Sequence, residues 1–212
     1  MCGIAGLITP YINVNDISLV KQMTATIGHR GPDEEDFHQS QYIAFGHRRL
    51  SIIDIENGTQ PMCSEDERFV LTFNGEIYNY KELRKSLEKQ GVKFFTHSDT
   101  EVLLQTLIVY GEKAMEKLIG MYAFAFHDKK TGRTIISRDE MGVKPLYYTI
   151  NESKLYFASE IKSLLQNKEL KVSVNQTAKK QYLTFQFCLN ELTLFDKIYA
   201  LKPAHYLDFY AG

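Results

Sequence analysis

Four places in the chain combine residue types and positions that could do chemistry. The first is Cys2. A methionine followed by a small residue is ordinarily removed, and removal of Met1 would leave Cys2 with a free α-amine. Such an amine has an unperturbed pKa of roughly 7.7 to 8.0, so it can take the proton of its own thiol. One residue then supplies both nucleophile and base. Read blandly, Cys2 is a small apolar residue opening a buried strand. The second place is Asn74-Gly75-Glu76. A side-chain amide beside a glycine N–H offers two donors to a tetrahedral oxyanion, and one such donor is typically worth about 3 to 4 kcal/mol. The bland reading is a type I′ turn between two apolar runs. Arg49 and Asp99 are the third and fourth. A free amino acid carries a carboxylate and an ammonium, so a pocket for one needs a forked cation and an anion set apart. Against this, Arg49 could be a solvated edge residue, and Asp99 could simply meet the dipole of a helix N-terminus.

Other chemistry finds less support. The histidines (29, 38, 47, 97, 127 and 205) have no metal-ligand spacing with Cys or acid, so no metal is expected. Glycine-rich phosphate fingerprints are missing. With 25 basic and 26 acidic residues the net charge is −1, which gives no broad attraction for nucleic acid or anionic membrane. Three cysteines, Cys2, Cys63 and Cys188, cannot all pair within the chain, which suits a reducing cytoplasm. The apolar run after Met1 is short, lacks a basic flank and meets Pro10, unlike a secretory signal. No window approaches the ~20 apolar residues of a membrane span.

Positioning these groups falls to elements that the pattern marks one by one. Gly3 to Ile8 reads as a buried strand. Leu19, Met23 and Ile27 mark a helix that stops at Gly28. Ile43 to Ile53 is strand-like around His47-Arg48-Arg49. Phe69 to Phe73 and Glu76 to Tyr78 flank Asn74-Gly75 as a hairpin would. A helix over Tyr80 to Gln90 ends at Gly91, and Ser98 with Glu101 has capping-box spacing for the next. Tyr122 to Phe126 reads as a doubly buried strand, returned by Thr134 to Ser137. Tyr147 to Ile150 and Leu155 to Ala158 form a hairpin, Glu160 to Leu165 a short helix, and Asn175 caps another. Hairpins with helices grouped between them predict an α+β fold or stacked αββα layers, not a doubly wound parallel sheet.

The order of segments carries a resemblance. It runs through Met1-Cys2-Gly3-Ile4-Ala5-Gly6, His29-Arg30-Gly31-Pro32-Asp33 and Arg49-Leu50-Ser51-Ile52. It continues through Phe73-Asn74-Gly75-Glu76-Ile77-Tyr78-Asn79, Ser98-Asp99-Thr100-Glu101 and Gly120-Met121-Tyr122-Ala123-Phe124-Ala125. Ser137-Arg138-Asp139, Lys144-Pro145-Leu146-Tyr147-Tyr148 and Ala158-Ser159-Glu160-Ile161-Lys162 complete it. The chain resembles the glutaminase domain of glutamine-dependent asparagine synthetases, in the class II, N-terminal-nucleophile amidotransferase family.

The resemblance implies an αββα sandwich, two antiparallel sheets between helical layers. It implies that Cys2 attacks the side-chain amide of L-glutamine while Asn74 and Gly75 hold the oxyanion. Arg49 would grip the α-carboxylate, Glu76 and Asp99 the α-ammonium, and main-chain groups of Leu50, Ser51, Ile52 and Ile53 would line the pocket. The Arg-Leu-Ser-Ile form at Arg49 looks like asparagine synthetase, not relatives with a Thr-Arg-Trp segment. A synthetase-like enzyme of secondary metabolism or polysaccharide modification is the runner-up, and a glutamine-sensing pseudo-enzyme the non-catalytic alternative. Asparagine synthetases continue into an ATP-binding half marked by Ser-Gly-Gly-x-Asp-Ser, which the sequence lacks. Residues 1–212 are therefore expected to be the amidotransferase domain alone. ATP and magnesium are expected only in that other half, which would be the partner domain, and a homodimer is allowed.

Overall fold

Gly3–Ile8 is buried at every position, as its unbroken apolar run requires of a strand covered on both faces. In the computed structural model, which describes residues 1–51, 54 and 57–211, this strand (β1) is followed by α1 (Val14–Ala25), β2 (Glu34–Gln39), β3 (Ile43–Arg49), β4 (Met62–Cys63) and β5 (Phe69–Ile77). Next come α2 (Tyr80–Glu88), α3 (Asp99–Tyr110), β6 (Gly120–Asp128) and β7 (Arg133–Arg138). The chain closes with β8 (Tyr147–Asn151), β9 (Lys154–Ala158), α4 (Ile161–Leu164), α5 (Gln176–Phe185), β10 (Tyr199–Ala200) and β11 (Tyr206–Tyr210).

Among the described residues one sheet has the order β10-β8-β9-β1-β3-β2 and the other β11-β7-β6-β5-β4. Every pairing within them is antiparallel. Strand alternation decides the layers. Ile4 and Ile8 of β1, Phe45 of β3, and Val70, Ala123, Ala125 and Ile136 of the second sheet fill the space between the sheets. The opposite faces take helices. Ala5, Leu7 and Tyr156 pack under Val20, Met23 and Ile27, and Leu71, Phe73, Phe124 and Phe126 under Leu103, Leu104 and Leu107. The result is the expected four-layer αββα sandwich.

Caps explain where helices start. Asn13 and Asp16 form a reciprocal capping box at α1, their side chains each taking the other's N–H at 3.1 Å. At α3 only half of the expected box exists. Ser98 accepts from Glu101 N–H at 3.2 Å, but the Glu101 carboxylate takes the N–H groups of Phe95 and Thr96 instead. It thereby pins the loop ahead of the helix.

The hairpin at Asn74-Gly75 does not form. β5 runs straight through it, with Asn74 opposite Ala123 and Gly75 opposite Tyr122 on β6. The glycine serves a close approach, not a turn. A Cβ on Gly75 would collide with the Met121 carbonyl oxygen and lie 2.8 Å from Tyr122 Cα. Alternation of Phe73, Gly75 and Ile77 had continued across the pair, so the local turn preference is overridden by sheet pairing.

Candidate active site

β1 and β5 belong to different sheets, and the ends of both open into one cavity of about 220 Å³. Cys2, Arg49, Leu50, Asn74, Gly75, Glu76 and Asp99 all line it. Ser51 is not among the lining residues: its N–H is held by the Asp33 carboxylate at 2.8 Å. Ile52 and Ile53 lie outside the described residues.

The half-buried Cys2 is held from several sides. Leu50 N–H points at its sulfur at 3.4 Å, and the thiol reaches the Leu50 carbonyl at 3.7 Å. Arg30 Nε donates to the Cys2 carbonyl at 3.0 Å, and Arg30 Nη1 reaches Glu160 at 3.0 Å. Glu160 is partly buried, yet hydrogen bonds from Arg30, Lys162 and His29 hold its carboxyl down at about 2. Burial pushes the Cys2 thiol above its ordinary value, while the Leu50 N–H, the chain's amino group, Arg49 and Lys144 pull it back.

Asn74 is 1% exposed, and among the described residues neither its Nδ2 nor its Oδ1 has a hydrogen-bond partner. Leaving buried polar atoms unpaired costs about 1 to 3 kcal/mol each, so the cavity in front of them is where a partner belongs. Its strand is fixed from behind. His47, fully buried on β3, hydrogen-bonds the Phe73 carbonyl at 3.0 Å and so ties one sheet to the other. Burial holds His47 down at about 4, and at neutral pH the ring is the uncharged Nε2–H donor. Gln60 takes Phe73 N–H at 2.7 Å and reaches Thr100 at 3.4 Å, fastening the same strand to α3.

Arg49 is buried, not a solvated edge residue. Its Nη1 meets both Glu34 oxygens at 2.9 and 3.0 Å, and its Nη2 donates to the Asp54 carbonyl at 2.7 Å. Gly31 lets this happen, since a Cβ there would run into the backbone of Arg48 and Arg49. Asp99 is more than a helix-terminus acid. Its carboxylate accepts Ile77 N–H at 3.0 Å, and burial, reinforced by Glu76, pushes it up to about 6 despite that donor.

Sequence reasoning gave no role to Lys144, Gln60, Thr100 or Met121, all of which line the cavity, nor to Arg30 and His47 behind it. Lys144, Thr100, Met121 and Arg30 stood in segments that carried the resemblance; Gln60 and His47 did not, and their contacts join positions too far apart in sequence to leave a local signal.

The fold is that of the N-terminal-nucleophile amidotransferases. A solved structure of glutamine phosphoribosylpyrophosphate amidotransferase from B. subtilis has this fold, matching 77% of this chain and 43% of its own with a TM-score of 0.62 and 22% identity. The model of the glutamine amidotransferase domain matches residues 1–212, and the chain belongs to that family. It is 45% identical to the asparagine synthetase [glutamine-hydrolyzing] 1 of Bacillus subtilis over 96% of its own length and 32% of that protein's. It is 37% identical to asparagine synthetase [glutamine-hydrolyzing] 3 of the same organism, over 99% of this chain and 35% of the relative. The chain thus spans about a third of the length of these relatives. No helix among the described residues is long and apolar enough to cross a membrane.

Proposed function

We propose that this domain hydrolyses L-glutamine to glutamate and ammonia through a thioester on Cys2. The observation that carries this reading is the buried, unpartnered Asn74 carboxamide on the cavity that also receives the Cys2 sulfur. The Cys2 sulfur attacks the amide carbon, and its proton passes to the α-amine freed by removal of Met1. The carbonyl π pair moves onto oxygen, where Asn74 Nδ2–H and Gly75 N–H meet the charge. Collapse breaks the C–N bond, the α-ammonium returns its proton to the leaving nitrogen, and ammonia departs. Water then cleaves the γ-glutamyl thioester and restores the thiol. Arg49, turned by Glu34, faces the substrate carboxylate; Glu76 and Asp99 face its ammonium. The reaction so written needs no metal or nucleotide.

In a longer chain of the relatives' size, the ammonia would go to an ATP-dependent synthetase half, with aspartate as acceptor and asparagine as product. The names and lengths of the relatives support that setting. Three unpaired cysteines support a cytoplasmic one.

The test joins N-terminal mass analysis to an assay of ammonia and glutamate. Processed protein should release both from glutamine, and Cys2→Ala should release neither while remaining folded. Full turnover in the Cys2→Ala protein ends the proposal. Binding without release in processed protein would favour a glutamine sensor.

A further inference from the structure

Lys144 is only 3% exposed, yet among the described residues no hydrogen bond or ion pair holds its ammonium. Its backbone is held instead. The N–H donates to Asp139 Oδ2 at 2.9 Å, and the carbonyl accepts from Arg138 Nε at 2.7 Å. Asp139, itself buried, also takes the N–H groups of Tyr122, Met141 and Val143. Residues 139–144 therefore form a rigid bracket that presents Lys144 to the cavity shared with Cys2, Asn74 and Glu76. The two arginines near Cys2 have carboxylate partners, Glu34 for Arg49 and Glu160 for Arg30.

A lysine whose stem is buried while its ammonium opens on a cavity without a counterion has its charge free to act on whatever occupies that cavity. We propose that Lys144 is a positioning charge of this site, fixed so as to favour the thiolate of Cys2 and thereby speed its acylation. The inference rests on Cys2 being the nucleophile. The sulfur's proton still goes to the α-amine, and Lys144 stays protonated throughout. Burial and Arg30 pull its ammonium below the ordinary lysine value, while Cys2, Asp139 and Glu76 act the other way. Arg49 also acts on the sulfur, and so does the amino group of Met1, whose place the Cys2 amine takes after processing, so removing Lys144 weakens the positive field without abolishing it.

The test follows iodoacetamide labelling of Cys2 against pH, read from the mass of the N-terminal peptide so that Cys63 and Cys188 do not contribute. Lys144→Met and Lys144→Gln should move the midpoint to higher pH and slow labelling at neutral pH roughly three- to tenfold. The kcat for glutamine should fall in parallel, with KM little changed, and Lys144→Arg should restore both. An unmoved midpoint in a folded Lys144→Met or Lys144→Gln protein overturns the proposal. If Lys144→Met does not fold, the Gln and Arg proteins decide. Should Cys2→Ala retain glutamine hydrolysis, the nucleophile reading fails, whereas the labelling shift still reports on Lys144.

Discussion

A carboxamide buried with both its polar atoms unpaired is a poor stabiliser, and Asn74 is such a residue. Asn74→Ala should therefore leave the melting temperature unchanged or slightly raised while kcat falls on the order of 10²- to 10³-fold. Steady-state kinetics beside thermal melts check this. Arg49→Lys should act differently, raising KM for glutamine, because a lysine cannot make the forked contact that spans Glu34 and the substrate. A variant pair with the reverse pattern would exchange the two roles. At this scale the residues that touch substrate in the proposed reaction were legible, since a terminal nucleophile, a donor pair and a forked cation announce their chemistry by type. Those that act through another residue were not. Nothing local marks His47 as the donor to Phe73, 26 positions away, or Arg30 as the donor to the Cys2 carbonyl.

The strand that carries Asn74 shows how an element can hide behind a motif. Asn-Gly signals a turn by the left-handed backbone it tolerates, but β5 uses the glycine for want of a side chain. Gly75→Ala would press a methyl group into the Met121 carbonyl and to within 2.7 Å of the Phe73 ring. Relief requires prying β5 from β6, so a loss of roughly 1 to 3 kcal/mol is expected. Urea unfolding reads it as a lower midpoint at constant slope; an unshifted midpoint would mean the two strands spread without cost. Strands with continuous apolar runs, β1 and β6, were plain in the sequence because burial on both faces leaves no polar alternation. β2 was not, because Glu34-Glu35-Asp36 reads as surface until Arg48 and Arg49 are seen to pair with the two glutamates. The helix after Asn175 was signalled by its cap alone, and Asn175 does accept Ala178 N–H at 3.0 Å.

Across the whole molecule, the layer order followed from hairpins and grouped helices, whereas the meeting of the two sheets over one cavity depended on inter-sheet contacts with no sequence period. Those contacts include titratable groups, and they set the response to acid. His47 and His127 both lie near 4 in the folded protein, against 6.5 ordinarily, through burial above all. The unfolded chain binds protons there that the folded one refuses, so stability is complete above about 6.5 and is lost as the pH falls toward 4. Asp128 and Glu160, held at about 2 by their cationic partners against the opposing effect of burial, extend the loss as the pH falls further. Asp99, raised to about 6 by burial, works in the opposite direction, its contribution fading as the pH rises through that value. Two histidines outweigh one carboxyl, so the melting temperature should drop steadily from neutrality to pH 4; a flat profile would contradict the burial of the histidines. One feature of the same layer reaches the chemistry. Cys2 leads into one sheet, Asn74 stands on the other, and β6 turns the small side chains of Ala123 and Ala125 into the space between the sheets. The distance from sulfur to oxyanion donor is therefore read off the gap between the sheets, as the opening of a caliper is set along its beam. A bulkier residue at 125, remote from the cavity, would detune turnover while the molecule still melted as one.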